Sequence, residues 1–149
     1  ILRVKYELGL FENPYRLLDE NREKETVGST SNNDAVLELA TQSIVLLKPA
    51  KNILPLKKSG QKILLLGSLA ESTTSPLGSW RIAADDNSAV SVLEGMQQYK
   101  GNNLKYIQGI KTTSSEPTFV TEVQYNTTDR SGFEEAKNAA KDADVMGVV

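Results

Sequence analysis

The apolar run Ile63-Leu64-Leu65-Leu66, closed by Gly67, constrains this chain more than any other stretch. A short continuous apolar run without alternation reads as a strand buried on both faces, as in a parallel sheet covered by helices. The pattern stops at Gly67. A polar loop rich in Ser, Thr, Pro and Gly follows and ends in Gly78-Ser79-Trp80, the only tryptophan in the sequence. In open α/β sheets, ligands are held by the loops at the carboxyl ends of strands. The ring of Trp80 therefore sits on the loop best placed to meet a ligand, with Arg81 beside it as a donor to hydroxyls or simply a solvated side chain, and Glu71 near the strand end.

The segments after this strand extend the pattern. Ser91 and Glu94 have the spacing of a capping box, and Val92, Leu93, Met96 and Tyr99 follow it with helical periodicity. Gly101-Asn102-Asn103 reads as a turn, and Leu104 to Ile107 as a second strand ended by Gly109. Lys111 to Arg130 is a long polar loop. Ser131 and Glu134 predict a second capping box, opening a helix with Phe133, Ala136, Ala140 and Ala143 on one face. Val145 to Val149 starts a third strand. The order from Lys62 is β-α-β-α-β. With right-handed crossovers it predicts an α/β fold: a three-layer, doubly wound, mainly parallel sheet of flavodoxin-like type, here incomplete.

The first part reads differently. Ile1, Val4 and Leu8 share a helical face, and Gly9 serves as a left-handed C-terminal cap. Pro14 ends regular structure, and Arg16 to Ser31 is polar without period, as in a linker or a surface excursion. Asn32 and Asn33 are placed to cap a helix from Asp34, with Val36, Leu39, Ala40 and Ile44 at helical spacing. Ile44 to Leu47 closes that helix or forms a short strand, and Pro49 stops it. The chain opens inside an apolar helical pattern and stops inside a strand pattern, as a piece of a longer protein does. The expected domains are 1–15 as the end of an upstream domain, 16–33 as linker and 34–149 as the first part of the sheet domain.

Residue types narrow the chemistry. Among 149 residues there is no cysteine and no histidine, which removes thiolate chemistry and both the commonest general base and the commonest metal ligand. No cofactor or metal is expected. A net charge of −2 gives no electrostatic case for nucleic acid or an anionic membrane. The turn Gly67-Ser68-Leu69-Ala70-Glu71 lacks both the dinucleotide fingerprint and the P-loop Lys-Ser/Thr, which argues against a nucleotide domain on this sheet. Asp85-Asp86 is a carboxylate pair of the kind used in acid/base work, though adjacent carboxylates in a polar loop are usually only solvated. Glu71 is placed to bond a sugar hydroxyl or a loop amide. Taken alone Trp80 reads as a core residue; its loop setting and the flanking Gly78 and Ser79 favour a ligand platform, an amphipathic face on which a sugar ring stacks. Asn126-Thr127-Thr128 matches a glycosylation sequon.

Four segments together resemble glycoside hydrolase family 3. They are Leu8 to Tyr15; Ser43 to Lys48 followed by Ile53-Leu54-Pro55-Leu56; Ile63 to Ala70 followed by Leu77-Gly78-Ser79-Trp80; and Val90 to Met96. The departures are Pro49 where Asn is usual, Ser68 for a usual Pro, and Asn32-Asn33 where His-Arg is common. The resemblance implies an α/β-sandwich second domain following a TIM-like barrel domain. It also implies a secreted or periplasmic retaining exo-β-glycosidase acting on terminal β-linked glucose or related sugars. The β-glucosidase and β-xylosidase types fit better than the hexosaminidase branch, whose members often lack the second domain. The barrel domain supplies the nucleophilic Asp, and a Glu further along the second domain supplies the acid/base. Neither catalytic carboxylate then lies in this chain. Trp80 matches the aromatic on the aglycone side of the sugar site, with Arg81 and Glu71 as further substrate-binding candidates. The alternative is a non-catalytic sugar-binding or interaction module on the same sheet.

Overall fold

In the computed structural model, which describes residues 1–48, 53–82, 87–115 and 122–149, the chain divides into two compact units, Ile1–Pro49 and Ala50–Val149. Pro49 and the pair Asp85-Asp86 lie outside the described residues, as does part of the loop between Lys111 and Arg130.

The first unit is three helices: α1 (Leu2–Glu7), α2 (Glu20–Thr26) and α3 (Thr30–Ser43). Gly9 follows α1 with φ of 69°, as expected of a left-handed cap. The stretch from Arg16 to Ser31, polar and without period, holds α2. That helix has no apolar period; it rests on Asp19, whose carboxylate accepts from the amides of Asn21 and Arg22 at 3.0 Å each. α3 starts four residues before the expected Asp34, because Ser29, not Asn32 or Asn33, is its N-cap. Ile44 leaves the helix in an extended conformation, and the run to Leu47 is neither helix nor strand.

The second unit holds β1 (Ser59–Leu66), α4 (Val92–Gln97), β2 (Gly101–Ile107), α5 (Phe133–Ala140) and β3 (Val145–Val148). The strands form one parallel sheet in the order β2-β1-β3. This is the α/β doubly wound arrangement expected from the sequence, with the apolar run as central strand. Leu64 pairs with Lys105 on one side and Met146 on the other. Alternation sends Ile63 and Leu64 to opposite faces. With Met96 of α4 and Tyr99 just beyond its end, Ile63 and Leu104 line a cavity of ≈ 320 Å³. Leu64 and Lys105 instead face Ala139 and Ala143 across an open cleft beside α5. Helices therefore cover both faces, and Ile63, Leu64, Leu65, Ala70 and Ile107 are the buried apolar residues among those described.

Two local readings change. The expected turn at Gly101-Asn102-Asn103 is the start of β2. Asn102 is held there by its own side chain, which donates to the Lys57 carbonyl at 2.9 Å and accepts from the Gln61 amide at 3.0 Å. The capping box at Ser131 does not form. Gly132 is the N-cap of α5, and the Ser131 amide donates to the Asp129 carboxylate at 2.9 Å. That bond draws the Asp129 carboxyl below its ordinary value. The box at Ser91 and Glu94 forms as expected.

Candidate functional site

The site is built at the carboxyl end of β1. Strand order reverses there, because β2 lies on one side of β1 and β3 on the other. Connections leaving in opposite directions open a crevice at such a point. Gly67 fits because it lacks a side chain. Its φ is 117°, and a Cβ would overlap the Val149 carbonyl oxygen beside β3.

From Gly67 the chain turns back on itself. The Ala70 amide donates to the Gly67 carbonyl at 3.2 Å, and Ala70 is fully buried. Its own carbonyl accepts from the Leu93 amide at 2.9 Å, which satisfies a free donor in the first turn of α4. The loop then makes an excursion and closes on itself. The Thr73 and Thr74 hydroxyls donate to Asn87 Oδ1 at 3.0 and 3.1 Å, the Asn87 amide donates to Thr74 Oγ1 at 3.0 Å, and the Ala89 amide donates to the Thr73 carbonyl at 3.0 Å. A 3-10 turn at Ser75–Leu77 lies inside this closed excursion, and Trp80 follows it.

Trp80 is 89% exposed. The described residues of this chain do not pack over the ring. Arg81 beside it is half-buried and engaged. Glu71 stands at the base of the loop, where its carboxylate accepts from Gln108 Nε2 at 3.2 Å. The Tyr106 hydroxyl donates to the Gly67 carbonyl at 3.4 Å. Burial, and then the nearby Glu71 carboxylate, push the Tyr106 phenol above its ordinary value. Ser68 and Thr112 join their hydroxyls at 2.7 Å, and the Thr112 amide donates to Ser68 Oγ at 3.2 Å.

The sequence-predicted residues thus divide. Trp80 and Arg81 are adjacent beyond the closed base of the excursion; Glu71 belongs to a polar cluster between the ends of β1 and β2. Tyr106, Gln108, Thr112 and Asn87 are absent from the sequence-level candidates. Their partners lie up to 44 residues away along the chain, and no local periodicity marks such pairs. Among the described residues, no group of three or more His, Cys, Asp or Glu gathers to hold a metal ion, and no helix is long and apolar enough to cross a membrane.

The family described as the glycosyl hydrolase family 3 C-terminal domain matches residues 44–149. A periplasmic beta-glucosidase of Salmonella typhimurium (strain LT2) is 36% identical, over all of this chain and 21% of its own length. A beta-xylosidase of Formosa agariphila is 31% identical, over all of this chain and 20% of its own length. Among solved structures, a mutant beta-glucosidase from Listeria innocua in complex with laminaribiose superposes with a TM-score of 0.77 at 25% identity. That match covers 99% of this chain and 18% of that one. The same enzyme in complex with glucose gives a TM-score of 0.72 at 26% identity, over 99% and 18%. The chain spans about a fifth of the length of these relatives.

Proposed function

The chain belongs to glycosyl hydrolase family 3, with residues 44–149 as part of its C-terminal domain, and from this premise we propose that the full-length protein is a retaining exo-acting β-glycosidase whose aglycone-side substrate loop is the excursion carrying Trp80. One observation carries the loop's role. A tryptophan that is 89% exposed stands on the loop leaving the central strand at the reversal of strand order. An exposed ring there is available to stack on the apolar face of a sugar, and Arg81 offers donors to its hydroxyls.

In this reading the chain binds and the chemistry comes from elsewhere in the protein. One carboxylate attacks the anomeric carbon while a second protonates the glycosidic oxygen. The aglycone departs, and water then hydrolyses the glycosyl-enzyme with the second group acting as base. The nucleophile belongs to a barrel domain preceding this segment and the acid/base to the rest of the sheet domain, so residues 1–149 alone are inactive. Glucosides or xylosides are the substrates, supported by the relatives' activities. A periplasmic or secreted setting is supported by the periplasmic relative.

The test uses the full-length protein. Hydrolysis of laminaribiose, which places a second ring on the aglycone side, is compared with that of methyl β-glucoside. Trp80→Ala is expected to raise KM for laminaribiose by roughly 2- to 10-fold, the range of a lost ring contact, with a smaller effect on the methyl glycoside. Equal effects on both substrates would remove the aglycone role. A full-length protein that binds β-glucosides and β-xylosides but hydrolyses neither would make this a sugar-binding module instead.

A further inference from the structure

Glu71 has two uses open to it, as a ligand for sugar hydroxyls or as a brace for the loop. Its surroundings favour the second. The carboxylate accepts from Gln108 Nε2 and stands against the Tyr106 hydroxyl, which itself holds the Gly67 carbonyl. Ser68 is joined to Thr112 by its hydroxyl and by the Thr112 amide. The start of the loop, from Gly67 to Glu71, is thereby tied to the end of β2 and the segment leaving it, across sequence separations of 37 to 44 residues. Further along, Asn87 closes the excursion on Thr73 and Thr74. A platform on a loop that must be ordered at each encounter loses affinity to that ordering, and a loop ordered in advance does not.

We propose that Glu71, together with Tyr106 and Gln108, is a positioning group that holds the Trp80 loop in its binding geometry, and that it does not contact the sugar. The inference rests on the reading of Trp80 as the aglycone platform. It assigns a function to Tyr106 and Gln108, and it separates two groups of residues by what they do: Trp80 touches the substrate, and the cluster fixes where Trp80 stands.

The experiment uses the full-length enzyme with laminaribiose and methyl β-glucoside, together with amide hydrogen exchange over residues 72–82. Glu71→Ala and Tyr106→Phe are each expected to raise KM for laminaribiose by about 3- to 10-fold, the scale of a lost hydrogen bond to a charged group, with kcat nearly constant. Both are expected to speed exchange in the loop. Glu71→Gln keeps an acceptor and restores most of what Glu71→Ala loses. The double variant Glu71→Ala/Tyr106→Phe is no worse than the weaker single variant, since both break one unit. In a Trp80→Ala background, Glu71→Ala adds nothing to KM.

Two results would overturn the inference. The first is a Glu71→Gln loss as large as that of Glu71→Ala with Tyr106→Phe silent, which would make the carboxylate a direct ligand. The second is unchanged loop exchange in Tyr106→Phe, a variant that removes only one oxygen. Failure of the underlying reading looks different: Trp80→Ala would leave KM for laminaribiose unmoved while loop exchange still answered to Glu71 and Tyr106.

Discussion

Helix α3 and strand β1 both carry clustered apolar side chains, and the two regions treat them in opposite ways. In α3, Val36, Leu37 and Leu39 remain exposed, and no described residue of the first unit is buried. In β1, Ile63, Leu64 and Leu65 are buried between two neighbouring strands and two helices. α3 is maintained by local bonds. Ser29 caps it, the Thr41 hydroxyl donates to the Leu37 carbonyl at 2.7 Å, and Gln42 donates to Glu38 at 3.1 Å one turn earlier. Such contacts leave a helix of 14 residues near the margin of stability in water. β1 owes its place to tertiary packing. Local signals decide where the first unit has helices, and burial decides where the second has strands.

Matched truncations give the strongest test of that contrast. Leu64 is 1% exposed, and Leu64→Ala is expected to cost about 3 to 5 kcal/mol through lost burial and the cavity left behind. Leu39 is 66% exposed, and Leu39→Ala should stay within about 0.5 kcal/mol. Urea unfolding followed by circular dichroism reads both. A comparable cost at Leu39 would break the comparison, because it would mean that α3 packs as tightly as β1.

The same division explains what the sequence discloses. β1, the order of elements and the box at Ser91 and Glu94 are legible because each is written in neighbouring residues: an unbroken apolar run, a change of period, a spacing of three. α2 is not, because its stretch has no apolar period and its start depends on one side chain, Asp19. The box expected at Ser131 fails for a local reason of the opposite kind. Asp129 takes the Ser131 amide, and the helix starts after Gly132. Of the candidate site, Trp80 and Arg81 are legible from the loop that carries them. The brace around Glu71 is not, since Tyr106, Gln108 and Thr112 meet their partners only after β1 and β2 have paired.

Glycines sharpen the comparison at the next level of effect. Gly67 and Gly28 both have positive φ, 117° and 69°. At Gly28 an added Cβ meets nothing within 4 Å, so Gly28→Ala carries only the backbone cost of about 1 kcal/mol. At Gly67 the added Cβ would overlap the Val149 carbonyl oxygen, which is held in place by the bond from the Val149 amide to the Leu66 carbonyl at 2.9 Å. Gly67→Ala is therefore expected to cost about 2 to 3 kcal/mol, by adding displacement of the strand end to the backbone strain. Equal midpoints for the two variants in urea would show that the ends of β1 and β3 yield freely.

The smallest effect separates two serine caps. Ser29 is half-exposed, and its hydroxyl accepts from the Asn32 amide at 3.4 Å. Ser91 is buried and makes a reciprocal set of bonds: its hydroxyl accepts from the Glu94 amide at 3.1 Å, while its amide and hydroxyl donate to the Glu94 carboxylate at 2.8 and 2.9 Å. Ser91→Ala should cost about 1 kcal/mol, and Ser29→Ala less. Only the Ser91 cap depends on pH. The bonds from the Ser91 amide and then its hydroxyl hold the Glu94 carboxyl below its ordinary value. A group lowered in the folded state adds stability above its unfolded pKa and loses that contribution as pH falls through the folded one. The advantage of wild type over Glu94→Gln should therefore be full near neutrality and shrink below about pH 4. Urea midpoints at pH 7 and pH 3 measure it, and an advantage undiminished at pH 3 would show that the ionised carboxylate is not what holds the start of α4.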